Sequence, residues 1–173
     1  MRKNKKIISI ALRYLILLII GFLLSLVYQL FLPATYYSSY FLLKIFYNVS
    51  LSCNNIILLN GLKIEIVKAC VALSAYYLLL ILNLTTPMTK KQRTYSLIFS
   101  ILSLFILNIL RIFFLSILYS NGAKYANLLH SLLWHVFSII FVVGIWFLST
   151  YLFKIKKIPI LTDLKNIYKS NNS

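Results

Sequence analysis

Acidic residues are nearly missing from this chain. Among 173 residues there are two, Glu65 and Asp163, against 18 Lys and Arg, a formal net charge of +16. Chemistry that needs paired carboxylates, or a metal held by carboxylates, is therefore close to excluded. Two cysteines, Cys53 and Cys70, do not make a disulfide framework. Charge of either sign is scarce: 12% of residues are charged, where a soluble domain carries about 25%. With 61% hydrophobic residues and a mean hydropathy of +0.90, the composition argues against a soluble globular domain and against a disordered chain. A basic surplus can mark a nucleic-acid binder. Here the basic residues lie between apolar runs, the pattern of an integral membrane protein obeying the positive-inside rule. No nucleic-acid partner is expected.

A membrane helix needs ~20 apolar residues to cross ~30 Å of hydrocarbon. Four runs read as spans: Tyr14 to Leu32, ending at Pro33; Ala69 to Leu84, the shortest, ending before Pro87; Thr94 to Tyr119; and Leu128 to Phe153. The first follows Arg2, Lys3, Lys5, Lys6 and Arg13. It is longer than the ~7–15 residues of a signal-peptide core, so an uncleaved anchor is expected. Thirteen basic residues lie in the N-terminal segment, in the loop Thr85–Arg93 and in the C-terminal tail 154–173; four lie in Pro33–Lys68 and Ser120–Asn127. That asymmetry puts both termini in the cytoplasm of a multi-pass plasma-membrane protein. In the outer segment, Tyr36–Val49 is apolar and aromatic but interrupted by Lys44, which fits an interfacial or re-entrant helix. Ile56–Leu59, Asn60-Gly61 and Leu62–Val67 read as a β-hairpin. The expected fold is one all-α membrane-embedded domain over 1–173. It has about four transmembrane helices plus an extracytoplasmic interfacial helix and hairpin.

The remaining basic residue, Arg111, falls within a run. Arg at a helix centre costs ~2.5–3.5 kcal/mol on insertion scales. Arg111 lies ~26 Å along the third run at 1.5 Å per residue, near its outer end. Snorkelling to headgroups is one reading. Asn108, one turn earlier on the same face, favours a functional one. Cys70 opens the second run after the hairpin. A free Cys is commonly a small buried hydrophobe, but a thiol in a first helical turn feels the positive end of the dipole, and a nearby Arg lowers its pKa further. A Cys53–Cys70 disulfide would quench such a nucleophile. His130 begins the fourth run and His135 follows; on a regular helix the two point about 140° apart. A His at an interface also serves as a polar cap. Three runs thus each bring one reactive group, Cys70, Arg111 and His130, to the same outer side. These are a thiol nucleophile, an oxyanion or carboxylate binder and an acid/base.

At these residues the chain resembles the exosortase/archaeosortase family of membrane cysteine transpeptidases, most closely the short archaeal, pacearchaeosortase-like members. Glu65-Ile-Val-Lys-Ala-Cys70-Val-Ala-Leu-Ser-Ala-Tyr-Tyr is similar to the family's Cys motif after its outer hairpin. Asn108-Ile-Leu-Arg111 is similar to its Asn-x-x-Arg motif, and His130-Ser-Leu-Leu-Trp134 to its third motif. The likeness covers about residues 56–153. Val71-Ala72 stand where many relatives have Ser-Gly, with Ser74 later, and Ser131 stands where an Asp is usual.

The resemblance implies a membrane cysteine peptidase/transpeptidase that removes the C-terminal sorting tail of secreted proteins and passes them through a thioacyl intermediate to an acceptor, with membrane lipids as the acceptor class. Cys70, Arg111 and His130 would be catalytic, with Asn108, Ser74 and His135 supporting. No cofactor and no metal are expected. The competing reading is a small non-enzymatic membrane scaffold whose Arg111 pairs with lipid phosphate. A transporter fits poorly, since no broken-helix pair is evident.

Overall fold

The computed structural model describes residues 12, 14–52, 55–59 and 61–155. Most of the N-terminal basic segment, most of the C-terminal tail, Cys53 and Asn60 lie outside the described residues. The chain is mostly helical with one small sheet. Helix α1 (Tyr14–Phe22) meets α2 (Leu24–Phe46) at a 66° bend. Strands β1 (Val49–Ser52), β2 (Ile56–Leu59) and β3 (Leu62–Glu65) follow. Then come the short α3 (Lys68–Val71), α4 (Leu73–Thr85) and the long α5 (Lys90–Ser120). A continuous helical path closes the fold: α6 (Ala126–Leu132), a π-helical stretch at Leu133–Phe137, and α7 (Ser138–Leu152).

Pro33 does not end the first helix; it lies inside α2. Losing an N–H donor and crowding the preceding turn costs ~3 kcal/mol in a helix interior. The burial of Tyr36 and Leu43 on the same helix offsets it. The chain turns earlier, at Leu23, beside the poor helix former Gly21. There Tyr77 Oη donates to the Leu17 carbonyl at 3.0 Å. A Cβ on Gly21 would stand 2.9 Å from that oxygen, so glycine permits the docking of α1 on α4. The separate interfacial helix expected over Tyr36–Val49 is therefore the second half of α2.

The expected hairpin is present, with Leu59 opposite Leu62 and Gly61 at φ +84° in the turn, where glycine has no Cβ to clash. It belongs to a three-stranded antiparallel sheet of order β1-β2-β3. The added strand pairs Val49 with Leu59 and Ser52 with Ile56. Tyr36 Oη donates to the carbonyls of Ser52 (3.2 Å) and Ile56 (3.3 Å), tying α2 to two strands at once. Ile57 and Ile66 pack with Tyr36, Leu43 and Ile112 in a core between sheet, α2 and α5.

Helix α5 has no Gly or Pro over its 31 residues and opens with a Thr89–Gln92 capping box. Among the described residues it is the one helix that passes by itself as a membrane span by length and composition, and the bent α1–α2 pair passes when taken together; α4 and α7 are shorter apolar helices of 13 and 15 residues. A second core joins α4, α5 and α7 through Ala75, Tyr76, Leu79, Leu104, Val142 and Ile145. At one end of this bundle lies a buried polar knot. Asn83 Nδ2 donates to Ser100 Oγ (3.3 Å) and to the Leu79 carbonyl (2.9 Å); Ser96 Oγ donates to Asn83 Oδ1 and pairs with Ser149 Oγ at 2.6 Å. Gln92 Nε2 donates to the Phe153 carbonyl at 3.0 Å, closing the same end. Replacing Asn83 by Leu strands the Ser100 hydroxyl and leaves Ser96 only its Ser149 partner. The expected loss is about 1–3 kcal/mol, read as a lowered thermal unfolding midpoint of the purified chain. An unchanged midpoint would show that the knot does not hold the helices.

Candidate functional site

The opposite end of the bundle gathers the chemistry. Helix α3 enters from β3, α5 supplies its C-terminal half, and α6 returns from the loop after Gly122. Cys70 is the third residue of α3 and is half-buried, with a free thiol. Ala72 stands between α3 and α4 at φ +55°, ψ +37°. A residue with a Cβ pays ~1–2 kcal/mol there. The left-handed step ends α3, so Cys70 lies outside α4 and not in its first turn as expected. The α4 dipole therefore does not act on the thiol through that turn.

Asn108 holds the cysteine segment from α5. Its Nδ2 donates to the Cys70 backbone carbonyl at 2.7 Å, and its Oδ1 is buried without a partner. One turn on, Arg111 is 9% exposed. Among the described residues no carboxylate forms a salt bridge with it. Its guanidinium sits over the Trp134 ring, 5.6 Å from the centroid, within cation–π range. A cavity of about 50 Å³ is lined by Val67, Cys70, Arg111, Ile112, Leu115, His130 and Trp134. The three groups singled out in the sequence thus border one space.

A larger cavity of about 260 Å³ adjoins it and shares Cys70, Ile112, Leu115 and His130. Its other walls are the β3 segment Leu62–Ile66 with Ser116 and Tyr119. His130 is exposed, with Tyr119 edge-on to its ring at 6.3 Å. Glu65 lines this cavity, so a carboxylate does stand near the thiol, contrary to what the scarcity of acids implied. Ser74 is exposed on α4 and borders neither cavity. His135 has its backbone in the π-helical stretch, where the 140° offset of a regular helix from His130 no longer applies; its side chain lies outside the described residues. Among the described residues no group of three or more His, Cys, Asp or Glu could hold a metal ion.

Two participants were not legible as such. Trp134 closes the quoted third motif, yet only the structure puts its face on Arg111. Glu65 opens the Cys motif, and only the end of β3 turns it toward Cys70.

The electrostatics around Cys70 oppose one another. Burial pushes its thiol pKa up, the Val67 backbone N–H and the Arg111 charge pull it down, and Glu65 adds to the rise. The net shift is upward, so the expectation of a thiol lowered by its surroundings is corrected: desolvation outweighs the cation. Alkylation of Cys70 by iodoacetamide should therefore climb with pH to a midpoint above the ordinary thiol value. Arg111→Gln should move that midpoint further up and Glu65→Gln should move it down. A profile indifferent to both substitutions would contradict the geometry. Compared with family models, curated proteins and solved structures, the chain matches none.

Proposed function

We propose that this protein is a membrane-embedded cysteine transpeptidase that cleaves the C-terminal tail of secreted proteins and hands them to an acceptor, a membrane lipid being the class expected from the resemblance to exosortases and archaeosortases. The observation that carries the reading is the shared border of Cys70, Arg111 and His130 on one cavity, reached from three separate helical segments.

The membrane setting is part of the proposal. Large apolar side chains crowd the outside of the bundle: Phe22 is 81% exposed, Leu30 74% and Phe41 69%. Only 28% of the most apolar window of α5 is buried, where the core helix of a soluble protein would be mostly covered. Such a surface suits lipid. With α4, α5 and α6–α7 crossing and α1–α2 forming a bent first span, the count is four and both termini are cytoplasmic. The polar knot then faces inward and the cavity outward.

The raised thiol pKa shapes the mechanism. At rest Cys70 carries its proton. As the scissile carbonyl arrives, His130 takes that proton and the sulfur bonds to the carbonyl carbon. Arg111, unpaired with any carboxylate among the described residues and held by Trp134, receives the oxyanion. His130 returns its proton to the leaving amine, the C–N bond breaks, and a thioester remains on Cys70. An acceptor hydroxyl or amine then gives its proton to His130 and bonds to the carbonyl carbon; the C–S bond breaks, and His130 passes that proton to the departing sulfur, restoring the thiol. Asn108 keeps the Cys70 segment in place throughout.

Cys70→Ala and Arg111→Ala should each abolish tail removal in cells while the protein stays in the membrane fraction, a loss of at least ~10²-fold. His130→Ala should do the same and His135→Ala should not. Normal processing by Cys70→Ala would overturn the enzyme reading in favour of a scaffold; full activity of His130→Ala would reassign the acid/base.

A further inference from the structure

The sheet has a free edge, and that edge faces the cavity. In the order β1-β2-β3 the strand β3 has one hydrogen-bonded neighbour, β2, among the described residues. Five consecutive residues, Leu62 to Ile66, line the space that holds Cys70 and His130. The phase of the ladder says which backbone groups point into it. Ile66 N–H donates to the Asn55 carbonyl at 3.0 Å, and the register pairs Ile64 with Ile57 and Leu62 with Leu59. In an antiparallel pair, residues that exchange hydrogen bonds alternate with residues whose N–H and C=O point away. Ile66, Ile64 and Leu62 therefore spend their backbone groups on β2. Lys63 and Glu65 aim theirs at the open edge, and no backbone hydrogen bond from another described segment meets them.

We infer that β3 is the docking edge for an extended peptide, which adds to the sheet as a fourth strand by pairing with the backbones of Lys63 and Glu65. The occupant is set by the groups on offer: unpaired N–H and C=O at strand spacing recognise peptide backbone in the extended form. Beneath them, Ile64, Ile66, Ile112 and Leu115 give alternate side chains of that peptide an apolar floor. The strand ends five residues before Cys70, so a peptide laid along β3 delivers its carbonyl to the thiol at the end of the same cavity. Recognition by backbone leaves the side chains of Lys63 and Glu65, both exposed, to tune selectivity at the rim. This deepens the proposed function, since it rests on Cys70 as the group that meets the peptide, but it concerns binding and does not need the transfer step.

The test uses the purified full-length chain and two probes: a tripeptidyl chloromethyl ketone of apolar residues, and the same compound N-methylated at its backbone amides. Covalent labelling of Cys70 is followed by mass spectrometry. Each rate is divided by that protein's iodoacetamide rate, which cancels changes in the thiol itself. The free-amide probe should label about ten-fold faster than the methylated one. Lys63→Pro and Glu65→Pro each remove an outward N–H that the β2 ladder does not use and that would donate to a probe carbonyl, so each should slow normalised labelling by the free-amide probe several-fold. Lys63→Ala and Glu65→Ala should keep that rate. Equal rates for the two probes on the unaltered protein would overturn the inference whether or not the proline variants fold. So would a free-amide rate that both prolines leave unchanged, or one that both alanines lower as far as the prolines do. If tails go unprocessed in cells while the labelling preference holds, the transfer reaction fails and the docking edge stands.

Discussion

One hydrogen bond joins the two halves of the site: Asn108 Nδ2 to the Cys70 backbone carbonyl. Cys70 belongs to a four-residue helix, too short to be stable alone, followed by a left-handed alanine. Without an anchor, nothing local would fix where the thiol points. Helix α5 supplies that anchor because it is long, uninterrupted and capped. The same helix, one turn further on, carries Arg111 into the same space. The spacing of Asn108 and Arg111 is thus a structural ruler: one residue grips the cysteine segment and the other sets a cation beside the sulfur.

The bundle divides its polar groups between two ends. At one, Asn83, Ser96, Ser100 and Ser149 satisfy one another and close the helices together. At the other, polar groups are left partly unsatisfied: Arg111 has no carboxylate among the described residues, and Asn108 Oδ1 has no partner. Buried polar groups cost free energy when unpaired. At the Cys70 end the open acceptor of Asn108 and the charge of Arg111 stand where a substrate could engage them. The π-helical stretch at Leu133–Phe137 lies at the same end and carries Trp134 against the guanidinium, which accords with the habit of π-bulges to mark working sites.

Sequence reading reached the helices best where apolar runs were long and unbroken, as over Lys90–Ser120, and the hairpin where Asn60-Gly61 imposes a turn. It failed at Pro33, because a rule about local backbone cannot weigh the buried face that carries α2 past it. Strand β1 was missed although its pairing with β2 is local, with Ser52 opposite Ile56 and Asn55 turning at φ +59° between them, because its four residues make too short an alternation to declare a strand. The spatial meeting of Cys70, Arg111 and His130 was legible only as a shared side of three runs. Their common cavity, the Trp134 face and the Glu65 carboxylate needed coordinates. The thiol's pKa was misjudged for a physical reason: sequence displays the cation but not the burial that outweighs it.

The central claim is that Cys70 carries the acyl group in the proposed reaction. The most direct measurement is intact-mass and peptide mapping of the protein isolated rapidly from cells that are producing its secreted substrates. The account predicts a hydroxylamine-labile adduct on the peptide bearing Cys70, enriched when acceptor supply is limited. Efficient tail removal in the same cells with Cys70 always free of such an adduct would contradict it.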